Sequence, residues 1–174
     1  TDFPLFEWDA EENRAVSAHH PFTAPLAEDI PRLTALADEV AAGSSDAAWR
    51  LYAADLRSRA YDAVYNGNEL ASGSVRIHDR NLQRIMFQAL GLSEEEANEK
   101  FGFLLEAFRY GAPPHAGFAF GFDRLAMLLA GAGSLRDVIA FPKTTAARAL
   151  FEGAPAPVSN EELRELHIRT IVDT

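Results

Sequence analysis

Two carboxylates on either side of a tight turn could together hold a divalent cation. Asn66-Gly67 is a strong signal for a two-residue β-hairpin, because both positions of that turn need positive φ. In such a hairpin Val64 faces Glu69. Asp62 then faces Ala71 and lies on the same face as Glu69, diagonally across the two strands. Oxygen ligands of this kind suit Mg²⁺ with a phosphate; the alternative is a solvated face without a ligand.

Arg76 lies further along the second strand and could bind a carboxylate or a phosphate through two parallel hydrogen bonds. In a regular strand its side chain has the wrong parity to share a face with Glu69. A β-bulge near Ala71-Ser72-Gly73 corrects the parity, and glycine makes this stretch a suitable place for one. The alternative is an arginine on the protein surface.

A glycine-containing apolar segment at 116–122 leads directly into a predicted helix at 123–129. Glycine weakens a strand, so Gly117 and Gly121 indicate the close approach of a ligand or of another backbone, with packing alone as the alternative. Arg124 lies in the first turn of the helix, where a cation is unfavourable for the helix dipole. A planar cation there can stack on a base or bind phosphate oxygens.

The adjacent residues His19 and His20 provide a third candidate. Neighbouring strand residues point to opposite faces, so at most one of them lines a given site. A neutral histidine can donate a hydrogen bond to a substrate carboxylate; a histidine satisfied by its local surroundings is the alternative. The chain has 5 His and no Cys, which argues against a transition-metal site.

The elements that position these residues alternate between hairpins and helices. We predict a hairpin of 3–8 with 14–19, helices at 31–42 and 47–58, strands at 60–65 and 68–78, two helices that begin after Asp79 and Ser93, a buried strand at 116–122, the helix at 123–129, a strand at 138–141 and a helix at 161–166. This order indicates an α+β fold, with an antiparallel or mixed sheet flanked by helices.

Composition and charge set the broad class of the protein. The 174 residues are 48% hydrophobic and 24% charged, which is average for a globular domain and excludes disordered and low-complexity classes. Lys and Arg number 16 against 26 Asp and Glu, a net charge of −10, so the chain shows no basic face for nucleic acid. No apolar run approaches the length of a membrane span, and we expect a cytoplasmic protein without membrane contact.

Several segments taken together resemble the bacterial-type aspartyl-tRNA synthetases of class II. They are HHPFTAP at 19–25, RAYDAVYNGNEL at 59–70, SGSVRIHD at 72–79, RDVIAFPKT at 136–144, and AGFAFGFDRL at 116–125, which matches the third signature motif of class II. The resemblance covers almost the whole chain, in order. It implies a class II catalytic core, with an antiparallel sheet flanked by helices, that joins L-aspartate to ATP and then to tRNA.

The resemblance also implies roles for individual residues. His19 contacts the aspartate substrate with His20 beside it. Arg76 binds the side-chain carboxylate of aspartate and so selects it over asparagine, while Asp62 and Glu69 hold Mg²⁺ and the phosphates of ATP. ATP also binds the end of the third motif, at Gly121, Phe122, Asp123 and Arg124, with Arg124 on the adenine or the γ-phosphate. Among all of these the implied catalytic residues are Glu69, Arg76 and Arg124.

The chain departs from the family pattern in three ways. Ala71-Ser72 replaces two glycines of the family's glycine-rich strand, and its side chains could crowd the aspartate pocket. The range 26–58 is longer than expected, which indicates a surface insertion. No counterpart of motif one or of the motif-two arginine is found, so we expect 1–174 to be the C-terminal portion of the catalytic domain, inactive by itself. Contacts with tRNA are then expected mostly outside this segment, in a full-length protein that is a homodimer.

Two other interpretations remain open from the sequence. One is a catalytically incomplete fragment or paralogue that keeps the fold and binds ATP or aspartate. The other is a related asparaginyl-type synthetase, against which the segment HHPFT at 19–23 argues.

Overall fold

A computed structural model describes residues 2–11, 14–43, 49, 53 and 55–171. The chain forms two compact units, Thr1–Gly121 and Phe122–Thr174, and each is described by itself. The described residues form antiparallel sheets and helices, which confirms the predicted α+β class. No helix in that part of the chain is both long and apolar enough to cross a membrane.

The first unit contains two antiparallel sheets. β1 (Phe6–Asp9) pairs with β2 (Arg14–Ser17), as predicted for the N-terminal hairpin. The second sheet is formed by β3 (Ala60–Tyr65), β4 (Asn68–Val75) and β5 (Ala116–Phe120), in the order β3-β4-β5. This second sheet carries most of the candidate site residues.

The hairpin between β3 and β4 turns at Asn66-Gly67, as predicted. The two residues have φ of 49° and 74°. These left-handed values cost glycine nothing and asparagine little, and their twist matches that of the flanking strands. The local sequence therefore determines the position of this turn.

β5 is more exposed than its apolar sequence predicts. Phe118 and Phe120 are 49% and 58% exposed, so the prediction of a buried strand is wrong for this unit. The reason is topological, because among the described strands β5 pairs with β4 alone and forms an edge of the sheet.

Three helices of the first unit follow from local signals. α1 (Ile30–Ala41) has a proline in its first turn. α2 (Arg80–Ala89) begins after Asp79, whose side chain accepts a hydrogen bond from a backbone N–H of the first turn. α3 (Glu94–Phe108) begins after Ser93 with the predicted capping box. Each cap satisfies backbone donors that the helix itself leaves without partners.

The core of the first unit includes side chains from α1. Leu33, Leu36 and Ala37 are at most 1% exposed and pack with residues of α2, including Met86. This helix is therefore part of the core, and replacing either leucine by alanine should cost about 2–5 kcal/mol. Whether the range 26–58 is an insertion relative to the family stays a prediction, and the helix predicted at 47–58 lies largely outside the described residues.

The described part of the second unit contains two α-helices and a 3₁₀ turn, and the rest of it is mostly turns and irregular backbone. α4 (Phe122–Ala130) and α5 (Asn160–Glu165) match two predicted helices. The strand predicted at 138–141 is wrong, because Val138 ends a 3₁₀ turn over Leu135–Asp137 instead. Its apolar β-branched residues favour a strand only when a partner strand is present, and none of the described segments pairs with them.

Candidate active site

A bulge in β4 determines which side chains share a face of the second sheet. Val64 pairs with Glu69, as predicted. Asp62 pairs with Ser72 and not with the predicted partner Ala71. The extra residue is Leu70, since the register shifts at this point of the hairpin. Asp62 and Val64 alternate regularly along β3, so they share a face and their partners lie on that face too. Asp62 and Glu69 are thus brought together, as the sequence predicts.

The bulge also brings Arg76 to the front face, the side of the sheet that carries Asp62 and Glu69. Arg76 follows Ser72 by an even number of positions and therefore points to the same side. Its guanidinium lies over Gly117 of β5, where an added Cβ would be 3.6 Å from Nη2. The predicted bulge is confirmed, one residue earlier in the strand than expected.

The two carboxylates of the front face differ in their surroundings. Asp62 is partly buried, and its buried Oδ1 has no hydrogen-bond partner among the described residues, whereas Glu69 is exposed. No group of three or more His, Cys, Asp or Glu side chains forms a metal site in the part of the chain that the structure describes. Two carboxylates with one unsatisfied oxygen still fit Mg²⁺, because this ion keeps several waters and takes substrate phosphates as its other ligands.

His20, rather than His19, is the histidine that reaches Arg76. The ring of His20 contacts the Arg76 guanidinium, and its Nδ1 accepts a hydrogen bond from the backbone N–H of Phe22 at 3.2 Å. His19 is exposed and lies edge-on against Phe3, with 5.2 Å between ring centroids. The two neighbours have separate surroundings, and only one of them joins the arginine.

The surroundings of His20 favour its neutral form. Burial lowers the pKa of His20 below its ordinary value of 6.5, and the positive charge of Arg76 and the neighbouring His19 lower it further. A neutral imidazole beside the guanidinium leaves Arg76 as the full positive charge available to an anionic ligand.

Ala71 and Ser72, which replace glycines of the family pattern, point to opposite sides of the sheet. Ala71 pairs with Ala63 on the back face, opposite the carboxylates, and is 2% exposed. Ser72 pairs with Asp62 on the front face. The predicted crowding of the front face can therefore come only from Ser72, since the Ala71 methyl lies on the other side of the sheet.

Gly73 is the glycine that a close backbone approach requires. A Cβ built there would be 2.0 Å from the carbonyl oxygen of Gly117 and 2.7 Å from the ring of Tyr61. The corresponding atom at Gly117 meets only the Arg76 side chain, at ordinary contact distance. A side chain at position 117 would therefore touch the guanidinium, and glycine lets Arg76 lie directly over β5.

The third motif is divided between the two units. Gly121 ends the first unit, and its N–H donates to the carbonyl oxygen of Leu70 at 2.8 Å, at the bulge. Phe122, Asp123 and Arg124 begin α4 in the second unit, where Phe122 is 76% exposed and Arg124 is partly buried. The ATP-binding role implied for these residues of the motif stays a prediction.

Thr23 and Ser74 also belong to the candidate site, although neither residue type indicates chemistry by itself. Both are 1% exposed, and their hydroxyl oxygens are 3.3 Å apart. The Thr23 hydroxyl oxygen also lies 3.3 Å from Nδ1 of His20. The backbone of Thr23 forms an antiparallel bridge with that of Arg76. The only local signal is the position of Thr23 shortly after the two histidines, because the pairing with β4 is long-range.

Comparison with known proteins identifies the family. Residues 1–145 match the sequence model described as tRNA synthetases class II (D, K and N). The chain belongs to this family. An aspartate–tRNA(Asp/Asn) ligase of Symbiobacterium thermophilum is 56% identical to this class II chain over 171 residues, 98% of the chain and 27% of that protein. An aspartate–tRNA ligase of Xylella fastidiosa is 53% identical over 171 residues, 98% of the chain and 26% of that protein.

The class II chain thus spans about a quarter of the length of these relatives. Among solved structures, the aspartyl tRNA synthetase of Entamoeba histolytica is similar at 32% identity and a TM-score of 0.45, over 52% of this chain and 18% of that one. The asparaginyl-tRNA synthetase of the same organism, in complex with asparaginyl-adenylate, is similar at 28% identity and a TM-score of 0.46, over 53% and 20%. The family match at 1–145 includes every residue of the front face.

Proposed function

We propose that this class II chain carries aspartate- and ATP-binding residues of an aspartate–tRNA ligase. The observation that carries the proposal is the front face, where the bulge at Leu70 sets Arg76 on the same side as Asp62 and Glu69. The relatives named aspartate–tRNA ligases, more than half identical over nearly the whole chain, support the assignment. The enzyme activates L-aspartate with ATP to aspartyl-adenylate and transfers the aspartyl group to tRNA.

Arg76 recognises the side-chain carboxylate of aspartate. Its planar guanidinium can donate two parallel hydrogen bonds to a carboxylate, and the uncharged amide of asparagine offers a weaker partner. The neutral ring of His20 contacts Arg76 and holds the guanidinium in place. The contact implied for His19 stays a prediction, since its ring lies against Phe3 in this structure.

Asp62 and Glu69 hold Mg²⁺ together with the phosphates of ATP. The unpartnered Oδ1 of Asp62 supports this role, because a buried carboxylate oxygen without a hydrogen bond is costly unless a ligand satisfies it. When bound, the ion neutralises negative charge on the phosphates. The proposal keeps the ATP-binding role that the family implies for Gly121, Phe122, Asp123 and Arg124.

The reaction needs no nucleophile from the protein. The substrate's α-carboxylate attacks the α-phosphorus in line, the bond to the bridging oxygen breaks, and pyrophosphate leaves. Arg76 fixes the amino acid for this attack, while Glu69 and Arg124 act at the phosphates. Catalysis is then a matter of positioning and of charge neutralisation in a prepared site.

The same proposal extends to the partners of the whole protein. Its tRNA contacts lie mostly outside this segment, in agreement with the net charge of −10. The full-length enzyme is a homodimer and acts in the cytoplasm. The segment alone does not aminoacylate, because it has no counterpart of the motif-two arginine that binds the α-phosphate in the family.

Calorimetry with non-hydrolysable adenylate analogues tests the proposal on the intact enzyme that contains this chain. We expect the aspartyl analogue to bind at least about tenfold more tightly than the asparaginyl analogue. Asp62→Asn should weaken Mg²⁺-dependent binding of ATP and leave aspartate binding intact. Tighter binding of the asparaginyl analogue indicates the asparaginyl-type enzyme, and binding of neither indicates a paralogue; both results contradict the proposal.

An aminoacylation assay tests the expectation for the isolated segment. The 174-residue chain should show no turnover with aspartate, ATP and tRNA, whereas the intact enzyme should be active. Robust turnover by the chain alone would mean that its own residues complete the site.

A further inference from the structure

A buried pair of hydroxyl groups lies next to the His20 ring that contacts Arg76. Thr23 and Ser74 are each 1% exposed, and Thr23 Oγ1 donates to Ser74 Oγ at 3.3 Å. Buried hydroxyls are costly unless they are hydrogen-bonded, and an apolar residue of the same shape would pack here without that cost. The position of this pair next to the candidate site therefore suggests a task beyond packing.

The backbone around Thr23 holds it against the strand end that carries Arg76. Thr23 forms an antiparallel bridge with Arg76. On either side of it, Ile77 donates to the Phe22 carbonyl and Ala24 donates to the Val75 carbonyl, both at 2.9 Å. The segment thus continues the sheet past the end of β4, and Thr23 cannot shift without shifting the arginine.

The Thr23 side chain also reaches the histidine ring. Its Oγ1 lies 3.3 Å from Nδ1 of His20, and the same nitrogen accepts the backbone N–H of Phe22. Arg76 Nη1 lies 2.9 Å from the same Nδ1, so the threonine hydroxyl and the guanidinium meet at one edge of the ring and limit its rotation. The charged and titratable groups around the ring are Arg76 and the neighbouring His19.

We propose that Thr23, supported by Ser74, is a positioning residue that fixes the His20 ring against Arg76 and so orients the guanidinium for the substrate's side-chain carboxylate. This inference rests on the proposed function for the identity of the substrate. The positioning itself involves only residues of this chain. Thr23 touches no reacting atom, so its removal should act on aspartate and not on ATP.

Steady-state kinetics of the intact enzyme test the effect on the substrate. Thr23→Val removes the hydroxyl and keeps the shape, and we expect KM for aspartate to rise about tenfold to a hundredfold. KM for ATP and kcat should change less than about threefold, since the variant leaves the front-face carboxylates untouched. Thr23→Ser keeps the hydroxyl and should restore KM to within about threefold.

The matched control is Thr34→Val, which removes another threonine hydroxyl of the same unit. The Thr34 hydroxyl donates to the Ile30 carbonyl within α1 at 3.0 Å. This variant should leave all kinetic constants unchanged. Equal rises of KM in Thr23→Val and Thr34→Val would mean a general loss of structure and overturn the proposal.

Nuclear magnetic resonance of the intact enzyme, labelled with ¹⁵N at histidine, tests the positioning without any substrate. In Thr23→Val the ¹⁵N resonances of the His20 ring should shift, because the ring loses the hydroxyl that lies beside Nδ1. Unchanged resonances overturn the proposal whatever the substrate is. Changed resonances in an enzyme that does not bind aspartate would contradict the proposed function and retain the positioning role.

Discussion

Arg76 and Glu69 lie on the same face of one sheet although an odd number of positions separates them in the chain. Leu70 is the extra residue that makes this possible, because it opposes no residue of β3. The bulge thereby places Arg76 on the face that carries the two carboxylates. In a regular hairpin the arginine would lie on the opposite face. The chemistry proposed for the site depends on this relationship.

Arg76→Lys should weaken aspartate binding by about tenfold or more in calorimetry of the intact enzyme. Lysine keeps the positive charge but loses the planar fork that binds a carboxylate through two hydrogen bonds. Arg32→Lys is the matched control, because Arg32 belongs to α1 and its guanidinium lies 4.0 Å from the exposed carboxylate of Asp55. Equal aspartate affinity in wild type and Arg76→Lys would show that the guanidinium does not bind the carboxylate through two hydrogen bonds.

Two glycine substitutions should differ sharply in their effect on the free energy of unfolding. Gly73→Ala drives a methyl group to 2.0 Å from the Gly117 carbonyl oxygen, so we expect a loss of at least about 3 kcal/mol or no folded protein. Gly117→Ala makes an ordinary 3.6 Å contact with Arg76 and should change stability by less than about 1 kcal/mol. Urea unfolding of both variants measures the difference, and similar values would refute the close approach at Gly73.

Asp29→Asn should destabilise the first unit at neutral pH. Burial by itself raises the pKa of the Asp29 carboxyl, but hydrogen bonds from the side chain and backbone of Arg57 outweigh it and hold the pKa below its usual 3.8. The carboxylate therefore stabilises the fold above pH 3.8, and this stabilisation is lost as the pH falls through the folded-state pKa. The substitution should cost about 1–3 kcal/mol near pH 7.

Urea unfolding across a pH series checks the sign of the Asp29 effect. The stability difference between wild type and Asp29→Asn should shrink as the solution is acidified below pH 3.8. A difference that is independent of pH would mean that the ionised carboxylate is not the source of the stabilisation.

His20 should make the folded state less stable in mild acid. Burial, with the charge of Arg76, lowers the pKa of His20, so the unfolded chain takes up a proton at this residue before the folded chain does. Stability should therefore fall as the pH drops below 6.5, and His20→Gln should remove that part of the pH dependence. Unfolding at pH 5 to 7.5 measures it, and an identical slope in the variant would exclude the histidine as its cause.

Local chemistry determined much of the fold from the sequence alone. The positive φ values of Asn66-Gly67, the cap at Asp79 and the capping box at Ser93 depend on residues within a few positions, so their positions could be predicted. The prediction of a strand at 138–141 was wrong because a strand needs a partner strand, and a local sequence pattern does not show whether one is present.

The residue types of the candidate site could likewise be predicted from the sequence, but not the geometry that joins them. The bulge occurs at Leu70, whose carbonyl oxygen accepts a hydrogen bond from the distant Gly121, and the choice of His20 over His19 follows from a contact with Arg76. Both depend on segments that are far apart in the chain. A one-residue shift reverses every face of a strand, so only the tertiary pairing could decide which side chains meet.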